Sequence, residues 1–290
     1  MKSQKEITAK IIEQMETAGP NWLNPMVNGA PAGMPRNAIT GHRYQGINVL
    51  LLGMTGGYWA TYKQWQSKEC QVRKGEKGTH IVFFKKIKIK DRDTNEDKMI
   101  PMLKTFCVFG ANQVEGEFAD KLNGMKDKRD ETDVIADVEA WVQATGAVIN
   151  QSNQARAFYS PGFDEIHVPN REVFVATETS SATECYYSTL LHELTHWTGH
   201  KSRLDRFSKS SRFGDTAYAR EELVAELGAA FQCAMLGVSI TPREDHAKYL
   251  NNWISVLKND SRAILTAAAA AEKAVQFIED LQGQVQEEAA

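Results

Sequence analysis

The chain has 290 residues, room for two domains of ordinary size, and its 42% hydrophobic and 24% charged residues match a soluble globular protein. No apolar run reaches membrane-spanning length and no signal-peptide core follows Met1–Glu6, so a membrane or secreted protein is not expected and a cytoplasmic one is. The net charge of −3 hides a polarity, +8 over residues 1–129 against −11 over 130–290: a basic first half suits a polyanionic partner, an acidic second half a bound cation.

The first element is a helix over roughly Lys5–Thr17, with Ile7, Ile11, Ile12 and Met15 on one stripe and Gly19-Pro20 to end it. A stretch rich in Pro, Gly and Asn runs from Pro20 to Gly46. Thr61–Gln64 then reads as a capping box that opens a short helix carrying Trp65. His80–Lys90 alternates as a strand, with Ile81, Phe83, Ile87 and Ile89 on one face and Phe84, Lys86, Lys88 and Lys90 on the other. A polar turn over Asp91–Lys98 leads to a partner strand over Met99–Phe109, giving a β-hairpin.

A lysine stripe on a strand is by itself an ordinary solvated face. Here Phe84 shares that face, and Arg36–Lys90 holds eleven basic residues against two acidic ones. Aromatic faces for bases beside a cationic track for phosphates describe a binder of single-stranded DNA. The candidate contacts are Arg43, Tyr44, Trp65, Arg73, Lys74, Lys77, Phe84, Lys86 and Lys88.

Ala119–Asp133, dense in Lys, Asp and Gly, reads as a boundary between a domain of residues 1–125 and one of residues 126–290, each with its own core. Beyond it, Val134–Thr145 patterns as an amphipathic helix and Ala157–Pro169 as two short strands around a Pro-Gly turn. Two or three helices follow Thr241. Cys70, Cys107, Cys185 and Cys233 form no C-x-x-C pair and are expected as buried, reduced thiols. The fold class is α+β: an N-terminal α+β domain with a β-hairpin, then a mostly helical domain with a small sheet.

The segment His192-Glu193-Leu194-Thr195-His196 is H-E-x-x-H. A helix turns about 100° per residue, so His192 and His196 share a face and can aim at one metal ion, with Glu193 placed as a general base. Ser181–Glu184 supplies a capping box, Tyr187, Leu190, Leu191, Leu194 and Trp197 the apolar spacing, and Gly199 a stop. A catalytic site needs a third protein ligand. The next helix, Tyr218–Phe231, carries Glu222 and Glu226 one turn apart, with Gly228, Ala229 and Ala230 small enough for close approach. This pattern resembles the glutamate zincins, which assigns Glu222 as ligand and Glu226 as an orienting residue behind it. Exchanged roles, Glu221 and His200 are the alternatives. Ser202 stands where a metzincin has its last histidine, which argues against that class.

Three further runs carry a wider resemblance: Asn37–Asn48, Val72–Thr79 and Tyr159–Pro161 with Asp164, Ile166 and Pro169. Together with His192–Arg203 and Glu221–Gly228 they resemble the ArdC-type antirestriction proteins of conjugative plasmids over nearly the whole chain. The first two resemble the domain shared with TraC-type primases. The resemblance implies a single-stranded DNA-binding domain joined to a zincin metallopeptidase-like domain, and a role in protecting incoming plasmid DNA. The expected activity is a zinc-dependent endopeptidase acting on a host protein, with manganese or cobalt able to replace zinc in vitro. The alternative is a DNA-coating or DNA-mimicking protein whose metal is structural. An intact Glu193 favours the enzyme, because a structural site has no need of a general base.

Overall fold

The computed structural model describes residues 4–23, 33–54, 56–90, 97–125, 131–178, 180–207, 216–238 and 246–288. α1 (Gln4–Ala18) buries Ile7, Ile11 and Met15 on one side, as its stripe requires. After β1 (Arg36–Asn37), α2 (Ile47–Leu51) and β2 (Tyr58–Thr61), the capping box forms at α3 (Tyr62–Gln66): the Gln64 amide donates to Thr61 Oγ1 at 3.3 Å and Gln64 Oε1 accepts from the Thr61 amide at 2.9 Å. β3 (Gln71–Val72) precedes the long antiparallel hairpin of β4 (Thr79–Lys90) and β5 (Asp97–Gly110). β5 also pairs with β2, so the main sheet has the order β1-β2-β5-β4. β3 pairs with β6 (Val114–Glu115) in a second, two-stranded sheet.

Two features of this half go beyond the sequence pattern. Among the described side chains of β4, Ile81 and Val82 at the root of the hairpin are buried on opposite faces, whereas Phe83 and Phe84 are both about half exposed. Asn48 of α2 explains the burial at Val82, since its amide both donates to the Val82 carbonyl and accepts from the Val82 amide, each at 2.8 Å. That closes the free edge of β4 at this point. The boundary segment begins within a helix: α4 (Glu117–Asn123) buries Ala119 completely. The turn at 91–96 and residues 126–130 lie outside the described residues.

α5 (Glu131–Gln143) leads to a three-stranded sheet of order β7-β9-β8, made of β7 (Val148–Ser152), β8 (Phe158–Ser160) and β9 (Glu165–Pro169). β8 and β9 are the expected pair, and β7 joins β9 in parallel. Four helices follow: α6 (Ala182–Trp197), α7 (Thr216–Leu236), α8 (His246–Asn259) and α9 (Ala263–Glu288). Ala267, Ala268 and Ala271 of the alanine run pack inward. Among the described residues, no helix is long and apolar enough to cross a membrane.

Mixed helices and small sheets in two domains are as expected, but the domains do not have separate cores. One cluster contains Ile7, Ile11, Met15, Leu50 and Val82 from the first half together with Leu191, Leu223, Trp253, Ile264 and Ile278 from the second. Polar contacts stitch the same seam: Thr8 Oγ1 donates to the Ser261 carbonyl at 2.7 Å, and the Gly46 amide donates to Glu272 Oε2 at 3.0 Å. Among the described residues, the first half keeps two small cores of its own, around Trp65 and Tyr44. Splitting the chain at 125/126 strands apolar surface on both pieces, worth about 25 cal/mol per Å². Fragments 1–125 and 126–290 expressed apart should therefore be insoluble or unfolded by circular dichroism, and co-expression should recover a folded pair. Cooperative melting of either fragment alone would contradict the shared core.

Candidate metal centre

α6 is set in place at its first turn. The Glu184 amide donates to Ser181 Oγ at 3.2 Å, and Glu184 Oε2 accepts from the Ser181 amide at 2.8 Å, the expected capping box. From that start the helix brings His192 and His196 one turn apart, ring centroids 4.9 Å from each other, both buried with Glu193 beside them.

α7 crosses α6 at very short range. A Cβ added to Gly228 would lie 2.7 Å from Thr195 Oγ1 and closer still to the Thr195 methyl. Thr195 is itself fixed: its hydroxyl donates to the Leu191 carbonyl and accepts from Gln232 Nε2, both at 2.9 Å, while Trp141 Nε1 donates to Gln232 Oε1 at 2.9 Å. The approach lays Glu222 across the histidines. Glu222 Oε2 is 3.6 Å from His192 Nε2, and its Oε1 is 3.4 Å from His196 Nε2. Donor atoms of all three residues lie within 4.8 Å of one another.

Ligands about 2.0–2.1 Å from a tetrahedral ion are roughly 3.3–3.4 Å apart along an edge. The two imidazole–carboxylate separations are close to that edge, so the residues present fit a divalent ion. The outer nitrogens face two more carboxylates. His196 Nδ1 is 3.3 Å from Glu221 Oε1 in a hydrogen bond, and His192 Nδ1 is 3.4 Å from Glu226 Oε2 in an ion-pair contact without hydrogen-bond geometry. Carboxylates in these positions orient imidazoles and raise their basicity. Glu222 thus lies between the two imidazoles, Glu226 behind His192, and Glu221, the alternative ligand of the sequence pattern, behind His196. His200 stands apart, with Nδ1 2.7 Å from Ser202 Oγ.

Two contributors had not been anticipated. Arg206 Nη2 lies 2.9 Å from Glu221 Oε1 and donates to the Thr195 carbonyl at 2.7 Å, and its Nη1 donates to Thr198 Oγ1 at 2.7 Å. It thereby clamps Glu221 to the end of α6, from a loop with no recognisable pattern. Tyr218 is hydrogen-bonded to Glu222 and receives Tyr249 Oη–H at 3.4 Å. Its place one turn before Glu222 on α7 was a usable signal. Burial, then the Glu222 charge, raises the Tyr218 pKa, so it stays a neutral donor. Farther out, Asp164, in left-handed backbone conformation, accepts from Tyr159 Oη at 2.7 Å and from Arg203, whose guanidinium stacks 3.9 Å above Trp197. This pins the β8–β9 turn to the end of α6.

Burial alone would raise the Glu222 pKa, but hydrogen bonds from His192 and His196 and their charges outweigh it and hold the carboxyl well below the usual range. Burial lowers His196, while Glu221 and Glu222 raise it more, to about 10. Without an ion, His196 keeps a proton at neutral pH as a local cation. A metal must displace that proton, so affinity should rise about tenfold per pH unit below about 10 and level off above it. Calorimetry of Mn²⁺ binding near pH 7.5, in buffers of different ionisation enthalpy, should report about one proton released per ion. Binding without proton release would contradict this electrostatic picture.

The expected DNA contacts fare unevenly. Trp65 is completely buried with Nε1 donating to the Phe109 carbonyl at 3.0 Å, and Tyr44 is buried 3.2 Å from Asn37 Nδ2. Their assignment as stacking residues is corrected: aromatic spacing marked core filling, and neither ring offers a face to a base. Arg43 is paired within the protein instead, its Nη2 lying 2.6 Å from both Glu279 oxygens on α9. Lys74 and Lys77 are exposed, Arg73 is exposed beside Glu76 at 3.1 Å, and Lys88 beside Asp97 at 2.7 Å. The Lys86 side chain lies outside the described residues. Phe84 is half exposed, and Phe83 meets Phe106 edge-to-face with centroids 5.4 Å apart on the open hairpin face.

Comparison with known proteins agrees with this geometry. A family model described as a zincin-like metallopeptidase matches residues 136–270, and one for the N-terminal domain of anti-restriction factor ArdC matches residues 1–109. A DNA primase TraC of Escherichia coli is 37% identical over 94% of this chain, which spans only 19% of that protein's length. The crystal structure of the antirestriction ArdC protein from plasmid R388, metal-free, superposes with a TM-score of 0.78 at 38% identity, covering 98% of this chain and 99% of that one. Its Mn(II)-bound form gives 0.75 at 36% identity, covering 97% and 98%. The chain belongs to the ArdC family of antirestriction proteins, with an ArdC-type N-terminal domain and a zincin-like metallopeptidase domain.

Proposed function

We propose that this protein is a metal-dependent endopeptidase coupled to single-stranded DNA binding, which helps incoming conjugative plasmid DNA survive host restriction by cleaving a host protein. The DNA-binding part would occupy residues 1–125 and the peptidase part residues 126–290. The observation that carries the reading is the buried convergence of His192, His196 and Glu222 beside Glu193. The zincin-like family match and the Mn(II)-bound R388 relative support metal at this site. Zinc is the default ion for two imidazoles and a carboxylate, and manganese or cobalt can take such a site.

A divalent ion held by His192, His196 and Glu222 supplies Lewis-acid chemistry, making water a better nucleophile and polarising a peptide carbonyl. Glu193 takes the proton from the attacking water and returns it to the leaving amine. Glu226 and Glu221 hold the two imidazoles in register, Arg206 anchors Glu221, and Tyr218 steadies Glu222 in its charged form. On the other half, Arg73, Lys74, Lys77 and Lys88 remain for phosphates, and Phe84 for a base.

His192→Ala, His196→Ala or Glu222→Ala should each abolish stoichiometric metal, measured by elemental analysis after dialysis. Glu226→Gln and Glu221→Gln should weaken metal binding by about 10–100-fold. Glu193→Gln should keep the metal and lose hydrolysis. Recipient-cell lysates treated with wild type or Glu193→Gln and compared by N-terminal proteomics should show new protein termini with wild type alone. Identical termini from both, with protection retained by Glu193→Gln, would overturn the peptidase reading.

A further inference from the structure

Where the hairpin of the first half meets α9, the molecule has a cavity of about 530 Å³, well within the range of small-ligand sites. Its wall is drawn from separate parts of the chain, including Gln4 of α1, Phe84 of β4, Arg206 beyond α6, Arg262 just before α9, and Leu265 and Lys273 of α9. Three of these are cations and none of the lining residues is acidic. All three cations come from the half whose net charge is −11, so the gathering runs against the local composition. The Phe84 ring, about half exposed, adds an aromatic face. A flat aromatic base carrying a phosphate is the ligand chemistry that uses both features.

The cavity also shares a side chain with the metal centre. Arg206 lines it and at the same time holds Glu221 at 2.9 Å, and Glu221 is 3.3 Å from His196 Nδ1. An anion in the cavity would compete for Arg206, which would leave Glu221 more charge to offer His196 and strengthen that imidazole as a ligand.

We infer that this cavity binds one nucleotide unit, its base against Phe84 and its phosphate at Arg262 and Lys273, and that Arg206 transmits occupancy to the metal centre. The inference builds on the DNA-binding reading above and specifies where a strand meets both halves. The ligand is either a unit of single-stranded DNA or a free nucleotide, and the probes below separate the two.

The test uses the full-length protein with fluorescent oligothymidylate and, separately, dTMP. Arg262→Glu/Lys273→Glu should weaken oligonucleotide binding at least tenfold and reduce the slope of log affinity against log salt by about one. Arg262→Ala/Lys273→Ala, a milder change, should do the same to a smaller extent, and Phe84→Leu should weaken binding at every salt concentration. Mn²⁺ affinity should rise about fivefold or more with oligonucleotide, and oligonucleotide affinity by the same factor with Mn²⁺. If wild type binds DNA and folded cavity variants bind it equally, the cavity is overturned while the DNA-binding reading survives. If wild type binds dTMP at the cavity but no oligonucleotide, the cavity stands as a free-nucleotide site and the DNA reading fails. No binding of either probe overturns the inference, and an unchanged Mn²⁺ affinity in the bound state overturns the link through Arg206.

Discussion

The contact between Gly228 and Thr195 sets the distance at which everything else in the metal centre operates. An imidazole pair on one helix can be specified by local spacing alone, but the third ligand must arrive from another helix within a few tenths of an ångström. Gly228 removes the side chain that would keep α7 away, and the Trp141–Gln232–Thr195 hydrogen bonds keep α6 from rotating out of the approach. Glu222 then reaches both Nε2 atoms with its two oxygens. The buried polar network is a positional device more than a source of stability, since each bond only replaces one made to water.

Burying two histidines among four glutamates is an electrostatic arrangement that needs a cation at its centre. A proton on His196 can fill that role, and a divalent ion fills it better. Arg206 neutralises the outermost glutamate and ties it to the α6 terminus, so the charge balance extends to the wall of the nucleotide-sized cavity. The shared core gives this continuity a mechanical basis. α9 packs against both α2 and α7, and Glu279 and Glu272 of α9 hold Arg43 and the Gly46 amide of the first half. A ligand on the basic half would therefore be close, in packing terms, to the helices that carry the site.

Much of this was legible in the sequence where the physics is local. The capping boxes at Thr61 and Ser181, the stripe of α1, the hairpin and the His192–Glu193–His196 face all follow from periodicity and turn chemistry within a few residues. Glu222 and Glu226 could be singled out by their spacing and the small residues after them, and the resemblance to glutamate zincins put Glu222 forward as the ligand. What could not be read was tertiary. Tyr44 and Trp65 look like surface aromatics in a basic segment, yet two small cores of the first half consume them. Arg43 looks like a phosphate contact, yet Glu279, 236 positions away, takes it. The charge reversal near residue 129 suggested separate units, whereas charge describes surfaces and says nothing about which apolar faces meet beneath them. Arg206 carries no local signature at all, and its role exists only because α7 and the loop after α6 fold against each other.

The most direct test of the account is the Mn²⁺ affinity of Gly228→Ala, with circular dichroism to verify that the helices persist. The added methyl cannot fit against Thr195 without moving α7, so affinity should fall at least tenfold in a protein of unchanged helicity, and Thr195→Ala in the same chain should recover part of it. An affinity equal to wild type in folded Gly228→Ala would show that the helix approach does not set the site, and would contradict the account at its base.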